Sequence, residues 1–189
     1  MANVRKYQAI FLCALACMQA PASAQRPKES KELMDAIRSG DGATAVQLLS
    51  VNPTLVNTRD FDGQTPLLLA LDGGNDDWVG FIIDKGADVN SANRNGDTPL
   101  IIATRRKSDV AIGWLLDRGA KPNLSNKVGE TALILAVQNR YLPGAKRLIA
   151  AGADPDRSDY SGHSARDYAK RDDRTPEMLK LFETAKPKP

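Results

Sequence analysis

The stretch Gly96-Asp97-Thr98-Pro99-Leu100 decides the fold, because related stretches stand before it and after it at the same shift of 33. These read Gly63-Gln64-Thr65-Pro66-Leu67 and Gly129-Glu130-Thr131-Ala132-Leu133. Gly162 and Ser164 continue the series of the first Gly and of the Thr. Two other series keep the same step: one is Ala70, Ala103, Ala136 and Ala169, and the other is Gly86, Gly119 and Gly152. Several residue types that recur at one unbroken period predict an array of stacked structural repeats.

The repeated residues predict two helices in each unit. Thr offers a side-chain oxygen that caps a helix N-terminus, and Pro suits the next position, where a missing N–H costs nothing. We therefore expect the first helix of successive units to begin at Thr65, Thr98, Thr131 and Ser164. A second helix is expected from about Asp76 to Lys85 and at the equivalent positions. Glycines able to adopt the left-handed backbone follow it at Gly86, Gly119 and Gly152.

These residues resemble the ankyrin repeat, whose pattern is a turn glycine, a Thr-Pro-Leu helix start and a Gly-Ala-Asp-x-Asn exit, here Gly86-Ala87-Asp88-Val89-Asn90. The resemblance implies an all-α repeat solenoid of about five helix-turn-helix units with hairpin-like loops. It covers residues 31–185, divided at about 31–60, 61–93, 94–126, 127–159 and 160–185. In one departure from the pattern, the usual His after Thr-Pro-Leu is replaced by Leu68, Ile101 and Ile134.

The terminal units are expected to act as caps of the solenoid. In the first unit, apolar residues match their helical equivalents with a shift of 34, which places one inserted residue near Asn52 and Pro53. These matching residues are Leu33, Ala36, Leu48 and Leu49. In the last unit, a closing helix is expected from Met178, Leu179, Leu181 and Phe182. Residues 25–30 are interpreted as a polar lead-in, and residues 186–189 as a flexible tail.

The first 24 residues have the pattern of a secretory signal peptide. Arg5 and Lys6 precede a short apolar run, and Ala22 and Ala24 place small side chains at a cleavage site after Ala24. The apolar run is shorter than the roughly 20 residues of a transmembrane helix. The expected location is therefore the periplasm or the extracellular space. A competing interpretation makes Cys17 the lipidated residue of a bacterial lipoprotein, although Ala14 stands where Leu is normally present.

Composition excludes several classes of protein. The chain has 189 residues with 42% hydrophobic residues, which excludes a disordered polyelectrolyte. Cleavage after Ala24 would remove two of the 26 Lys and Arg residues and leave 24 against 23 Asp and Glu. It would also remove both cysteines, Cys13 and Cys17, and with them any disulfide, zinc-thiolate site or cysteine nucleophile.

The sequence offers little support for catalysis, a metal or a cofactor. His163 has Ser161, Ser164 and Asp159 as sequence neighbours, but a catalytic triad needs partners that the fold brings together beside an oxyanion donor. The carboxylates Asp154, Asp156 and Asp159 lack the Gly and Glu of a calcium-binding loop. We therefore expect a protein that is not an enzyme and holds no metal or cofactor.

The ankyrin resemblance implies a concave face formed by the turns and by the ends of the first helices. The expected partner-binding residues are Phe61, Asp62, Gln64, Arg94, Asn95, Asp97, Arg105, Arg106, Lys107, Lys127, Val128, Glu130, Gln138, Asn139, Arg140, Tyr141 and Tyr160. The centre of this face is basic, and Phe61, Tyr141 and Tyr160 are expected to be aromatic anchors. The expected partner is another protein, bound through an acidic segment.

Other interpretations concern the partner and the surface. The protein would act as an accessory factor for a periplasmic enzyme, or as a secreted effector that binds a host protein. Export and a net charge near neutrality argue against nucleic-acid binding, and a monomer is expected. Phe81, Trp114 and Arg147 occupy equivalent positions of the second helices and offer a second surface strip, for which internal packing is the competing explanation.

Overall fold

The computed structural model describes residues 22–184, which form ten α-helices and no β-strand. The helices are α1 Ala22–Ser39, α2 Gly42–Val51, α3 Pro66–Gly73, α4 Asp76–Asp84, α5 Pro99–Arg105, α6 Asp109–Asp117, α7 Ala132–Gln138, α8 Leu142–Ala150, α9 Ala165–Arg171 and α10 Pro176–Thr184. The predicted signal peptide falls mostly, and the predicted tail entirely, outside the described residues. Within that range, no helix combines the length and the apolar character needed to cross a membrane.

The helices form five antiparallel pairs that stack side by side. The first helices of the pairs make an inner row, in which α3 packs against α1 and α5, and α7 packs against α5 and α9. The second helices make an outer row, in which α6 lies between α4 and α8. This arrangement confirms the predicted all-α repeat solenoid.

Capping fixes where each inner helix begins. The Thr65 hydroxyl accepts a hydrogen bond from the backbone N–H of Leu68 at 3.3 Å, and Thr98 and Thr131 cap Ile101 and Ile134 in the same way. Ser164 forms a capping box with Asp167. The predicted starts of the inner helices are therefore confirmed. Leu68, Ile101 and Ile134, which replace the usual His, are fully buried.

One continuous apolar core runs between the two rows. Ala103 has no exposed surface and lies among the large side chains of neighbouring units, so its small side chain allows helices α3, α5 and α7 to approach each other. The caps close the core as expected: Leu33 at one end and Met178 and Phe182 at the other are fully buried.

The first unit differs from the others in the length of its inner helix. Helix α1 has 18 residues, whereas α3 has 8 and α5 has 7. The residues interpreted as a polar lead-in, 25–30, lie within α1. A 3₁₀ helix at Pro53–Asn57 occupies the loop in which the sequence indicated an inserted residue.

Candidate protein-binding face

The tips of the hairpin-like loops form an aligned row across the solenoid. We call this the tip row: Phe61, Arg94, Lys127 and Tyr160. Backbone hydrogen bonds tie each tip to the next, from Arg94 N–H to Asp62 O at 3.0 Å, from Lys127 N–H to Asn95 O at 2.9 Å, and from Tyr160 N–H to Val128 O at 3.1 Å. The register of the row is therefore set by the backbone and does not depend on side-chain packing.

Each tip is also stabilised from within by an Asp or Asn side chain. Asn93 Oδ1 accepts from the N–H groups of Asn95 and Asp97, at 2.9 and 3.0 Å. Asp60, Asn126 and Asp159 do the same in the other loops. Sequence reasoning missed these positions, although the recurrence of Asp or Asn at the period of the repeat was a visible signal.

Asp159 has the most perturbed carboxyl of these loops. Burial alone raises its pKa, but hydrogen bonds from the Ser161 and Tyr168 side chains and from the backbone of His163 and Ser161 outweigh that effect. The net result lowers the pKa of Asp159 to about 2. The carboxylate thus stabilises the last hairpin loop in its charged form.

The exposure of the predicted residues divides them into three groups. Phe61 is 90% exposed and Tyr160 79% exposed, so two of the three predicted aromatic anchors lie on the surface. The other exposed members are Asp62, Arg94, Asn95, Arg105, Arg106, Lys107, Lys127, Val128, Gln138 and Arg140. Gln64, Glu130 and Asn139 are half-buried, and Oε1 of Gln64 has no hydrogen-bond partner among the described residues. Asp97 and Tyr141 are buried.

The expectation that Tyr141 is a surface anchor is wrong. Its side chain is only 8% exposed, and its hydroxyl donates a hydrogen bond to the Asp109 carboxylate of the preceding unit. The ring lies so close to Gly144 that a Cβ there would overlap it. Burial and the hydrogen bond to Asp109 raise the pKa of Tyr141 well above its usual range. Tyr141 therefore joins two units internally and is not available to a partner.

Ion pairs neutralise part of the predicted basic centre. Arg105 binds the buried Asp97 carboxylate with both terminal nitrogens, at 3.0 and 3.2 Å. Arg140 pairs with Asp172 of the next unit at 2.5 Å. Arg94 makes a looser contact of 3.7 Å with Asp62, and both side chains remain mostly exposed. Three of the six basic residues predicted for this face therefore have a carboxylate partner.

The other three cations make no ion pair, although Arg106 lies near Asp72: burial raises the pKa of Asp72, and the charges of Arg105 and Arg106 oppose that effect. Arg106, Lys107 and Lys127 are exposed and make no ion pair within residues 22–184. The Arg106 guanidinium lies against Gly74 of the preceding unit, where a Cβ would come within 2.5 Å of it. The remaining basic centre is therefore smaller than the sequence indicated, and it consists of these three residues with Arg94 beside them.

Two basic residues of this face have an unusual backbone. Lys107 and Arg140 adopt positive φ angles of 58° and 51° at the turn between the paired helices. Gly40 and Gly74 occupy this turn in the first two units, with φ of 77° and 68°. A non-glycine residue is disfavoured in this left-handed region, so the basic side chains are present at a cost in stability.

The residues considered for catalysis and metal binding serve the turns and caps. His163 donates its backbone N–H to Asp159, and its Nδ1 lies 3.0 Å from Ser161 Oγ. Asp154 accepts from the backbone N–H of Asp156, whose carboxylate pairs with Arg166 at 2.6 Å. In the part of the chain that the structure describes, no group of three or more His, Cys, Asp or Glu side chains is placed to hold a metal ion.

The outer strip is occupied largely by packing contacts. The Phe81 ring meets Trp78 edge-on with centroids 5.3 Å apart, and Lys85 lies 5.2 Å above its centroid. Trp114 packs toward Gly80 of the preceding unit, and Arg147 lies 3.6 Å from Asp109. These contacts explain the conspicuous residues of the outer row without a ligand.

A solenoid that presents aligned, exposed side chains along its loops has the architecture of a binding scaffold. Comparison with protein families agrees: residues 33–126 match the family described as ankyrin repeats (3 copies), and residues 115–169 match that described as ankyrin repeats (many copies). The chain belongs to the ankyrin repeat family, whose members generally bind other proteins and are typically not enzymes.

One curated relative is similar to part of this chain. Over 62 residues, 32% of this chain, the sequence is 40% identical to the E3 ubiquitin-protein ligase XBAT33 of Arabidopsis thaliana. The match covers 12% of that protein. The similarity therefore concerns a small part of that protein.

Proposed function

We propose that this protein is an exported, non-enzymatic binding module whose concave face holds an acidic segment of a partner protein. The observation that carries the proposal is the tip row, in which two exposed aromatic side chains flank two exposed cations in a register fixed by backbone hydrogen bonds. Aromatic and Arg side chains contribute much of the energy of protein interfaces.

The apolar members of the face support a protein partner. Phe61 and Tyr160 leave most of their ring surface in water, and Val128, beside the tip of the fourth unit, is 57% exposed. Burial of such side chains is favourable by about 2 kcal/mol each. A partner that covers the loops would therefore gain this energy with little rearrangement of the solenoid.

The charges favour an acidic segment. Arg106, Lys107 and Lys127 make no ion pair in the described chain, although Arg106 lies near Asp72, and Arg94 has only a long contact with Asp62. A chain cleaved after Ala24 would be nearly neutral, so this local excess of positive charge would not be a consequence of overall basicity. Carboxylates of a partner would meet the unpaired cations and set the orientation of binding.

The position of Pro27 supports cleavage of the N-terminal segment. Pro27 lies inside helix α1, where its ring and missing N–H disfavour a preceding helical turn by about 3 kcal/mol. After cleavage behind Ala24, Pro27 would lie in the first turn of the helix, where proline is well tolerated. In the exported form, Pro27 would therefore not distort the first helix of the N-terminal unit.

The proposal is tested by charge reversal with a matched control. The test variant carries Arg106→Glu, Lys107→Glu and Lys127→Glu, all at exposed, unpaired positions. Arg105 is left intact because its reversal would place a second carboxylate beside buried Asp97. The control carries Lys121→Glu, Lys146→Glu and Arg157→Glu, which change the net charge equally at exposed positions outside the predicted face.

The measurement is quantitative capture from the native exported fraction, with residues 25–189 as bait and mass spectrometry as readout. We expect at least one protein to be retained by the wild type and the control and lost by the test variant, with similar thermal midpoints for all three. Equal retention by the test variant and the control would contradict the basic face as the binding site.

A further inference from the structure

The extra length of α1 changes the open end of the concave face. With the shift of 34 between the first two units, residue 32 is the equivalent of Pro66, where α3 begins. Residues 22–31 therefore extend α1 beyond the usual start of an inner helix, and residues 25–31, which would remain after cleavage behind Ala24, account for roughly 10 Å of this extension. Because inner helices begin at the base of the hairpin loops, this extension lies on the side of the first loop tip.

A cleft separates this extension from the first loop. Its volume is about 770 Å³, and its lining includes Pro27, Ser30 and Met34 from α1 and Phe61 from the loop. Among the charged groups that line it, Arg38 pairs with Asp60 at 2.6 Å and with Asp35 at 3.2 Å, whereas Lys31 is exposed and makes no ion pair among the described residues. The Phe61 ring, 90% exposed, forms one rim of the cleft. The surface of the cleft is nonetheless mainly apolar.

We propose that this cleft takes an apolar side chain of the partner, and that acidic residues of the same extended segment reach Arg94 and Lys127. This inference rests on the proposed function and adds the sequence pattern that the face would recognise. The volume exceeds that of one side chain, so the cleft admits a residue as large as Trp together with neighbouring atoms of the segment. The carboxylates of the lining are balanced by Lys31, Arg38 and Arg59, so the apolar surface of Met34 and Phe61, and not charge, decides that the apolar group enters at this end of the face.

The spacing of the pattern follows from the tip row. Phe61, Arg94 and Lys127 belong to successive units, and packed helices lie about 8–10 Å apart. An extended peptide advances about 3.3 Å per residue, so roughly three residues span one unit. The recognised segment is therefore an apolar residue, a carboxylate roughly three residues away, and a second carboxylate roughly three residues beyond it.

The test uses synthetic peptides of about twelve residues in a Gly/Ser background. One probe carries Trp and two Glu at this spacing, and a second has the reverse chain direction. Each has a partner in which Trp is replaced by Gly, and another in which both Glu are replaced by Gln. Binding to residues 25–189 is measured by NMR titration at low and at physiological salt.

Two variants alter the cleft by opposite means, and one serves as their control. Phe61→Ser removes the exposed rim, and Ser30→Trp places a large side chain in the cleft and obstructs it while leaving Phe61 in place. Val51→Ser removes a similarly exposed apolar side chain, 78% exposed, at the end of α2 and away from the tip row. All three positions are on the surface or at the cavity edge, and their folding is checked by thermal unfolding.

We expect replacement of Trp by Gly in one of the two probe directions to weaken binding about tenfold to the wild type and to Val51→Ser. The same replacement should have little effect on binding to Phe61→Ser and Ser30→Trp. If the acidic probe binds equally well with and without Trp but not with Gln, the cleft inference is overturned while the basic face remains supported. If no Glu probe binds in either direction, the proposed function fails as well.

Discussion

At the scale of single residues, the left-handed turn residues connect the stability of the protein to the proposed binding face. Lys107 has a φ of 58° at a position that is glycine in the two preceding units. An L-residue in this region is disfavoured by about 1 kcal/mol, and the Lys107 side chain makes no ion pair within the described residues that would offset it. A lysine at this strained position is what the proposed binding face would require, since it places a positive charge there.

We therefore predict that Lys107→Gly raises the free energy of unfolding by about 1 kcal/mol, because glycine adopts this backbone without steric cost. Urea unfolding measures the change. The matched control is Lys146→Gly in the middle of α8, which should destabilise by about 1 kcal/mol through loss of helix propensity. Destabilisation by both substitutions would contradict the assignment of strain to Lys107.

Asp159 gives a pH dependence to the last hairpin loop. Its pKa falls from an ordinary value of 3.8 to about 2 on folding, so its contribution is fully present above about pH 4 and is lost as the pH falls toward 2. Asp159→Asn keeps an oxygen acceptor for the backbone, as Asn93 and Asn126 do at the equivalent positions, but does not titrate.

We predict that the stability difference between the wild type and Asp159→Asn is largest near neutral pH and shrinks between about pH 4 and pH 2. Chemical unfolding at a series of pH values measures this difference. The exposed carboxylate of Asp173 provides the control, since Asp173→Asn should leave the profile close to that of the wild type. A constant difference for Asp159→Asn would show that its charge has no role in the loop.

At the scale of structural elements, the hairpin tips connect neighbouring units through backbone hydrogen bonds. Gly129 and Gly162 occupy equivalent tips with similar φ angles, 84° and 82°. A Cβ on Gly129 would lie 2.6 Å from the backbone N of Tyr160 in the next unit, whereas one on Gly162 would meet nothing within 4 Å. Comparison of substitutions at the two positions therefore separates the energetic cost of the left-handed backbone from the cost of disturbing the contact between units.

We predict that Gly162→Ala costs about 1 kcal/mol, from the left-handed backbone alone. Gly129→Ala should cost about 2 kcal/mol more, because the methyl group also separates the loop from the next tip. Thermal and urea unfolding of the two variants measure the difference. Equal costs would mean that the loops do not transmit stability from one unit to the next.

At the scale of the whole molecule, the core has no internal boundary at which the solenoid could divide. Buried residues of all five units belong to one apolar cluster, and each inner helix between the caps packs against both neighbours. A repeat array of this kind gains much of its stability from interfaces between units. Damage at a central interface should therefore affect both halves.

Ala103, in the central inner helix, is the most sensitive position at which to test whether damage to one interface affects the whole solenoid. We predict that Ala103→Arg abolishes cooperative folding, because the site has no exposed surface and offers no room for a longer, charged side chain. Circular dichroism and thermal unfolding report the loss. Ala43→Arg, at an exposed position of α2, should remain folded, and a folded, soluble Ala103→Arg protein would contradict the packing described for the inner row.

Much of the fold was predictable because its rules act over short distances along the chain. Thr65, Thr98 and Thr131 cap helices through a backbone N–H three residues later, and the glycines after the outer helices adopt positive φ through their own lack of a Cβ. Such preferences depend on neighbouring residues alone, so the period of the sequence was enough to place the inner helices from Thr65 onward and the buried stripe, but it missed that residues 25–30 belong to α1.

The binding face depended on contacts between residues far apart in sequence. Arg140 is paired because Asp172 of the next unit lies beside it, and Tyr141 is buried because its hydroxyl reaches Asp109 of the preceding unit. The cleft beside Phe61 exists because α1 extends past the usual start of an inner helix. Local spacing does not encode which side chains meet across a unit boundary. Only the packed solenoid decides which charges remain free and which aromatic rings remain exposed.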